Sequence, residues 1–392
     1  MNLGWSFVGL KGANLVSDFL TKSHFLTTLN LKNDFIGPQG GQSLFEALKT
    51  NNTLTSLSLD GNNIGPAVSH LSQYLSTNST LKQLDLRRNN IEPLGGGLIG
   101  EALRENGSLV SLNIKGNRIG MAGCEGLAEG LRLNCSLTYL NVGYNRIPQS
   151  GCMVWGSLLK VNRSLTKFVI NGNDIFTEGA QVILDGLSDN LQFTLLKMKY
   201  CKITEKLGSD ISMFLKTHPL KILGLGGNTL TNTGTSLIFQ ALSNNDTLTS
   251  LDLSDNGISS FPHTHGQALL FNTSLRRLSL SNNKLEDQAI SKHLTEALLG
   301  NTTLVELDVS NNSYHGQKYQ IALNPFIAVN VRLNWPATHG MLAKEEQQRI
   351  LLYMLIFKRC FLPKEIQLFL IQVIIRMDKS SDKVRLFLKS NK

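Results

Sequence analysis

Three sets of side chains in this sequence have types and spacings suited to chemistry. The first is basic and aromatic: Arg87 and Arg88, then Lys115 and Arg118, then Tyr139, Tyr144 and Arg146, then Lys167, then Lys197, Lys199, Tyr200 and Lys202. Arginine and tyrosine are the residues that most often anchor protein interfaces, and clustered cations speed encounter with acidic partners. The second set is Asn-x-Ser/Thr directly before a leucine, at Asn51, Asn78, Asn106, Asn134, Asn162, Asn245, Asn272 and Asn301. Each is a textual acceptor for an N-linked glycan. The third is sparse. His263-Thr-His265 offers half a metal site, with no carboxylate or cysteine suitably spaced along the chain, and "LGLGGN" at 223–228 lacks the Lys-Ser/Thr of a phosphate loop. The expectation is therefore no catalytic set, no metal centre, no cofactor and no small-molecule substrate.

The elements that must carry these residues follow from a period. Eleven segments match L-x-x-L-x-L-x-x-N-x-I, starting at Leu26, Leu54, Leu81, Leu109, Leu137, Leu165, Phe193, Leu220, Leu248, Leu275 and Leu304, always 27 to 29 residues apart. A fixed period in this range marks a solenoid. The L-x-L alternation predicts a short strand with its leucines inward. The asparagine that follows (Asn62, Asn89, Asn117, Asn145, Asn173, Asn228, Asn256, Asn283, Asn312) stands where the chain turns, and its amide can bond backbone groups left unpaired there. Asp34 and Cys201 replace it in two copies. Apolar residues four apart in the second half, as in Leu44/Leu48, Leu127/Leu131 and Ile238/Leu242, predict a helix. The eight sequons all fall in one register just past that helix, so they read as one structural position copied eight times. The expectation there is a left-handed residue ending each helix, with Asn standing in for Gly.

This period and its motif are identified as the leucine-rich repeat, and the long strand-plus-helix unit resembles the ribonuclease-inhibitor-like subclass. NOD-like receptors, GTPase-activating proteins for the small GTPase Ran, and effectors that bacteria inject into host cells share it. The resemblance covers residues 26–314; 1–25 look like a worn first repeat acting as a cap. It implies an α/β horseshoe with parallel strands on a concave face and helices on the convex one, and no function by itself. In such a horseshoe the basic and aromatic residues of repeats three to seven would face the concave surface. A protein partner with an acidic or mixed surface would bind there. By analogy with the GTPase activators, Arg88, Arg118 and Arg146, with Asn90, are residue types for an arginine finger and a positioning amide.

The period stops after Asn334-Trp335-Pro336, and 341–392 read as three helices closing the last repeat. Leu362, Pro363, Glu365 and Ile366 within "LPKEIQLFLIQVI" resemble the start of an F-box, which would imply a ubiquitin-ligase adaptor; Pro in a first turn followed by an acidic residue is also simply how helices begin. The net charge of +9 is concentrated in this tail, where 11 basic residues face 5 acidic ones. The remainder is nearly neutral, and no nucleic-acid-binding signature occurs, so nucleic acid is disfavoured. Five scattered cysteines without a CxxC pair, and a start unlike a signal peptide, predict a cytoplasmic protein, or one acting in host cytosol if it is an injected effector; a monomer is expected. No apolar run is long enough to span a bilayer.

Overall fold

A Leu-x-Leu segment in extended conformation puts two branched side chains on one side of the backbone and leaves the alternate positions on the other. In the computed structural model, which describes residues 1–285, 293–312 and 327, these segments form one parallel sheet of eleven strands. They are β1 (Thr28–Asn30), β2 (Ser56–Ser58), β3 (Gln83–Asp85), β4 (Ser111–Asn113), β5 (Tyr139–Asn141) and β6 (Lys167–Val169), followed by β7 (Leu195–Lys197), β8 (Ile222–Gly224), β9 (Ser250–Asp252), β10 (Arg277–Ser279) and β11 (Glu306–Asp308). Their order in the sheet is their order in sequence. The register never slips: Leu29 pairs with Leu57, Leu57 with Leu84, and so on through Leu112, Leu140, Phe168, Leu196, Leu223, Leu251, Leu278 and Leu307.

Helices return the chain between strands: α1 (Gly9–Lys22), α2 (Gly37–Leu48), α3 (Val68–Thr77), α4 (Glu92–Glu105), α5 (Gly120–Leu133) and α6 (Gly151–Val161), then α7 (Phe176–Leu187), α8 (Gly208–Thr217), α9 (Thr231–Leu242), α10 (His263–Phe271) and α11 (Thr295–Gly300). Leu44, Leu48, Leu127, Leu131, Ile238 and Leu242 are buried against the strand leucines. Trp155 fills the middle of this core, its ring 5.0 Å from that of Phe168. Glycines set the closest helix contact. A Cβ at Gly130 of α5 would collide with the Gly100 carbonyl of α4, and one at Gly126 would meet the backbone of Gly97.

Two asparagine ladders run through the solenoid. In the first, the motif asparagine satisfies backbone groups of its own and the preceding repeat. Asn117 Nδ2 donates to the carbonyls of Leu86 (2.9 Å) and Ile114 (2.8 Å), while its Oδ1 accepts from Asn89 N–H at 2.8 Å. The second ladder is built by the sequon asparagines, and here the structure corrects the expectation of a left-handed residue. Asn106, Asn134, Asn162, Asn272 and Asn301 have φ between −72° and −77° with extended ψ. Their side chains do the capping instead. Asn134 Nδ2 donates to the Leu103 carbonyl (2.7 Å) and the Asn106 carbonyl (2.8 Å), and its Oδ1 accepts from the N–H groups of Ser136 and Leu137. The sequon hydroxyl joins in, as Ser136 Oγ donates to the Asn106 carbonyl at 3.2 Å. Seven of the eight asparagines are buried, Asn78 being half-buried. The glycan-acceptor nitrogen is thus a structural donor.

The first residues continue the same geometry. Asn2 bridges Asn30 in parallel, Leu3 N–H donates to the Asn30 carbonyl (2.8 Å), and Ser6 N–H donates to Asp34 Oδ1 (2.6 Å) where a ladder amide stands in other repeats. Cys201, the other replacement, offers its thiol weakly to the Lys199 carbonyl. Residue contacts divide the chain into Met1–Ile321 and Ala322–Lys392, and all these elements lie in the first unit. The helices expected over 341–392, with Leu362, Pro363, Glu365 and Ile366, lie outside the described residues. Among the described residues no helix is long and apolar enough to cross a membrane.

Candidate functional site

The strand alternation that buries the leucines turns the intervening side chains outward. Arg87, Tyr139, Lys197 and Lys199 are half-buried on that sheet face, and Arg88, Lys115, Arg118, Tyr144, Arg146, Lys167, Tyr200 and Lys202 are exposed. The structure sorts these residues into two groups that the sequence did not separate.

One group is neutralised within the fold. Asp60, fully buried in the turn after β2, draws three cations: Arg88 at 2.9 Å, Arg87 at 3.2 Å and Lys32 at 3.7 Å. Arg87 also forks onto Asp85, Nε–Oδ1 2.9 Å and Nη2–Oδ2 2.6 Å. Lys202 pairs with Asp174 at 2.9 Å and stands over the Phe176 ring. Lys199 pairs with Asp252; burial pushes that carboxyl up, but the bonds from Lys199 and Ser254 outweigh it and leave Asp252 below the usual carboxylate range. Arg88, one of the expected partner-binding residues, is held by Asp60, because stacking in register brings residues one period apart into contact. The second group, Lys115, Arg118, Arg146, Lys167 and Lys197, has no ion-pair partner among the described residues.

The residue before each ladder asparagine adopts a left-handed backbone, with φ between +52° and +74° from Asn33 through Gly227. Its identity alternates: Gly61, Arg88, Gly116, Tyr144, Gly172, Tyr200, Gly227. Each large residue lies over the glycine of the next repeat. A Cβ at Gly172 would strike the Tyr144 ring, one at Gly227 the Tyr200 ring, and one at Gly116 would touch Arg88 Cγ at 3.4 Å. Lys115 Nζ sits 4.5 Å from the Tyr144 ring centroid, a cation–π contact. A non-glycine residue held at such φ costs about 1–3 kcal/mol. Arg88, Tyr144 and Tyr200 therefore form a row of fixed side chains, two strands apart, which at about 4.8 Å per strand sets them roughly 10 Å from one another. Sequence reasoning missed this row because its period is two repeats.

Burial pushes the phenols of Tyr139 and Tyr144 up, the wrong direction for a base. Cys124, Cys135, Cys152 and Cys201 are free thiols; Cys152 is buried and pushed up to about 12, so it is inert at neutral pH. His265 is buried too, its ring stacked 4.4 Å from that of Phe239, and it bonds Ser236 at 3.0 Å. It is a core residue and does not pair with His263.

The family model described as Leucine Rich repeat matches residues 50–67, 77–100, 105–128, 133–154, 161–184, 244–260 and 271–292. Among solved structures, the crystal structure of a TLR13–ssRNA13 complex is similar at 19% identity and a TM-score of 0.47, covering 75% of this chain and 37% of that one. A structure of leiomodin-1 actin-binding site 2 is similar at 22% identity and a TM-score of 0.34, covering 37% of this chain and 86% of that one. This chain thus spans little more than a third of the TLR13 chain's length. No curated protein matches it.

Proposed function

We propose that this leucine-rich repeat solenoid is a non-catalytic scaffold that binds a protein partner on the sheet face of repeats three to seven. Leucine-rich repeats generally mediate protein–protein interaction and typically without catalysis. The row of Arg88, Tyr144 and Tyr200, strained in backbone and seated on glycines, lies beside five cations without ion-pair partners among the described residues, and this arrangement supports a binding face. Rigid aromatic and arginine anchors contribute most at interfaces because little entropy is lost when they are covered. The un-neutralised Arg118, Arg146, Lys167 and Lys197 select an acidic or mixed partner surface.

The 27–29-residue repeat with a helix in each unit supports the ribonuclease-inhibitor-like subclass, and the free thiols support a reducing, cytoplasmic setting for a monomeric protein, host cytosol included if it is a bacterial effector. A Ran-type GTPase-activating role and an adaptor role through Leu362–Ile366 are the competing outcomes. GTP hydrolysis assays and co-purification with a ligase scaffold read them out. The binding reading itself is tested by affinity capture from eukaryotic lysate. The reversal Arg118, Arg146, Lys167 and Lys197 to Glu should lose a salt-sensitive partner that a helix-side reversal of Lys160 and Lys216 retains. Equal capture by both would refute it.

A further inference from the structure

Two histidines and a glutamate from consecutive repeats meet on the helix side of the solenoid. His263 opens α10 in the ninth repeat; His293 lies just before α11 and Glu296 in its first turn, both in the tenth. The histidines are 30 residues apart, close to one period, so stacking of the repeats is what brings them together. His293 and Glu296 are three residues apart, a spacing that puts both on one side of a helical turn. One ligand atom from each of the three residues lies within 4.8 Å of the others. The imidazole rings of His263 and His293 are 5.6 Å apart between centroids, tilted at 66°. His293 Nδ1 is shielded from solvent and has no hydrogen-bond partner; Glu296 Oε2, at 3.6 Å, is too far to accept its proton.

These distances suit an ion rather than a proton between the groups. With metal–ligand bonds of about 2.0–2.1 Å, a tetrahedral ion holds its ligand atoms roughly 3.4 Å apart, close to the spacing of His293 Nδ1 and Glu296 Oε2. His263 is exposed at the helix start, and its ligand atom lies within 4.8 Å of those of His293 and Glu296.

We propose that His263, His293 and Glu296 form a binding site for a divalent transition metal of the zinc type. Two neutral imidazoles and a carboxylate match the borderline preference of Zn2+ and are poor ligands for Ca2+ or Mg2+, which take oxygen. Three protein ligands leave a fourth position for water or for a donor from a bound partner. The ion ties α10 to α11, so it braces the ninth repeat against the tenth. This site stands apart from the sheet face and does not depend on the binding reading above.

The test is calorimetric titration of the metal-free full chain with Zn2+, with Co2+ absorption as a second readout. One equivalent should bind saturably. Loss of an outer partner of a metal ligand already costs about 10–100-fold in affinity, so His263→Ala, His293→Ala and Glu296→Gln should each weaken binding at least that much. His24→Ala and His70→Ala, remote in sequence and outside the trio, should leave it unchanged. Far-UV circular dichroism of each metal-free variant should match wild type, since none of the three side chains belongs to the core. Wild-type affinity weaker than about 1 mM, or an unchanged affinity in His293→Ala, would overturn the proposal.

Discussion

Tyr144 lies with its ring over the backbone of Gly172, one repeat further along the sheet, and it does so from a left-handed φ of 54°. Gly172 is itself at φ 65°, so a methyl group there is strained by the backbone and blocked by the ring. Gly172→Ala is expected to cost about 2–3 kcal/mol, read as a lower urea midpoint, and to weaken partner capture by displacing Tyr144. Unchanged stability would mean the ring does not rest there.

The second ladder predicts an unusual ranking at a helix end. Where an asparagine caps through a left-handed backbone, glycine is an equal or better replacement. Asn106 instead caps through its side chain, donating to the carbonyls of Leu75 (2.7 Å) and Asn78 (3.0 Å) and accepting from the N–H of Leu109 (2.7 Å). Asn106→Gly should therefore be as damaging as Asn106→Ala, each losing about 2–4 kcal/mol through unsatisfied buried groups. Denaturant unfolding of the pair decides it: a glycine variant near wild type would restore the left-handed cap.

Removing the carboxylate that gathers Lys32, Arg87 and Arg88 leaves three cations facing one another. Those cations are partly exposed, so solvent screens the loss, and Asp60→Asn should cost about 1–3 kcal/mol at low ionic strength. The deficit should shrink in about 1 M salt, where the screening length is about 3 Å. A deficit independent of salt would assign the effect to packing.

Burial lowers His265 to about 4, and it also lowers His218, opposed there by a bond to the Asn190 carbonyl. The unfolded chain then binds more protons than the native state once pH falls below the ordinary histidine value near 6.5. Stability is fully present above that pH and is lost on the way down to about 4, with His265 contributing about 3 kcal/mol over the interval. His265→Gln should flatten the pH dependence of the urea midpoint between those limits even if it lowers stability overall. An identical slope in the variant would contradict the buried neutral imidazole.

The parts of this architecture that depend on one repeat at a time were legible in the sequence. Leu57 and Leu59 announce a strand, Leu127 and Leu131 a helix, and Asn117 a turn, because each acts through local spacing. What lay between repeats was harder. Arg88 and Asp60 are 28 residues apart, His263 and His293 are 30, and only stacking in register makes either pair neighbours. The alternation of Gly116, Tyr144, Gly172, Tyr200 and Gly227 was in plain view but has a period of two units. At Asn106 the position was read correctly and the conformation was not, since sequence alone does not say whether backbone or side chain satisfies a helix end.

On the proposed function, the sheet face and not the helix layer takes the partner. This is tested most directly by placing a photo-crosslinking residue at position 144 or, for comparison, at Met153, which is 61% exposed on α6. Irradiation in cells should join one discrete partner to position 144, lost when Arg118, Arg146, Lys167 and Lys197 are reversed, and none to position 153. Crosslinks from position 153 with position 144 silent would put the binding surface on the helices and contradict it.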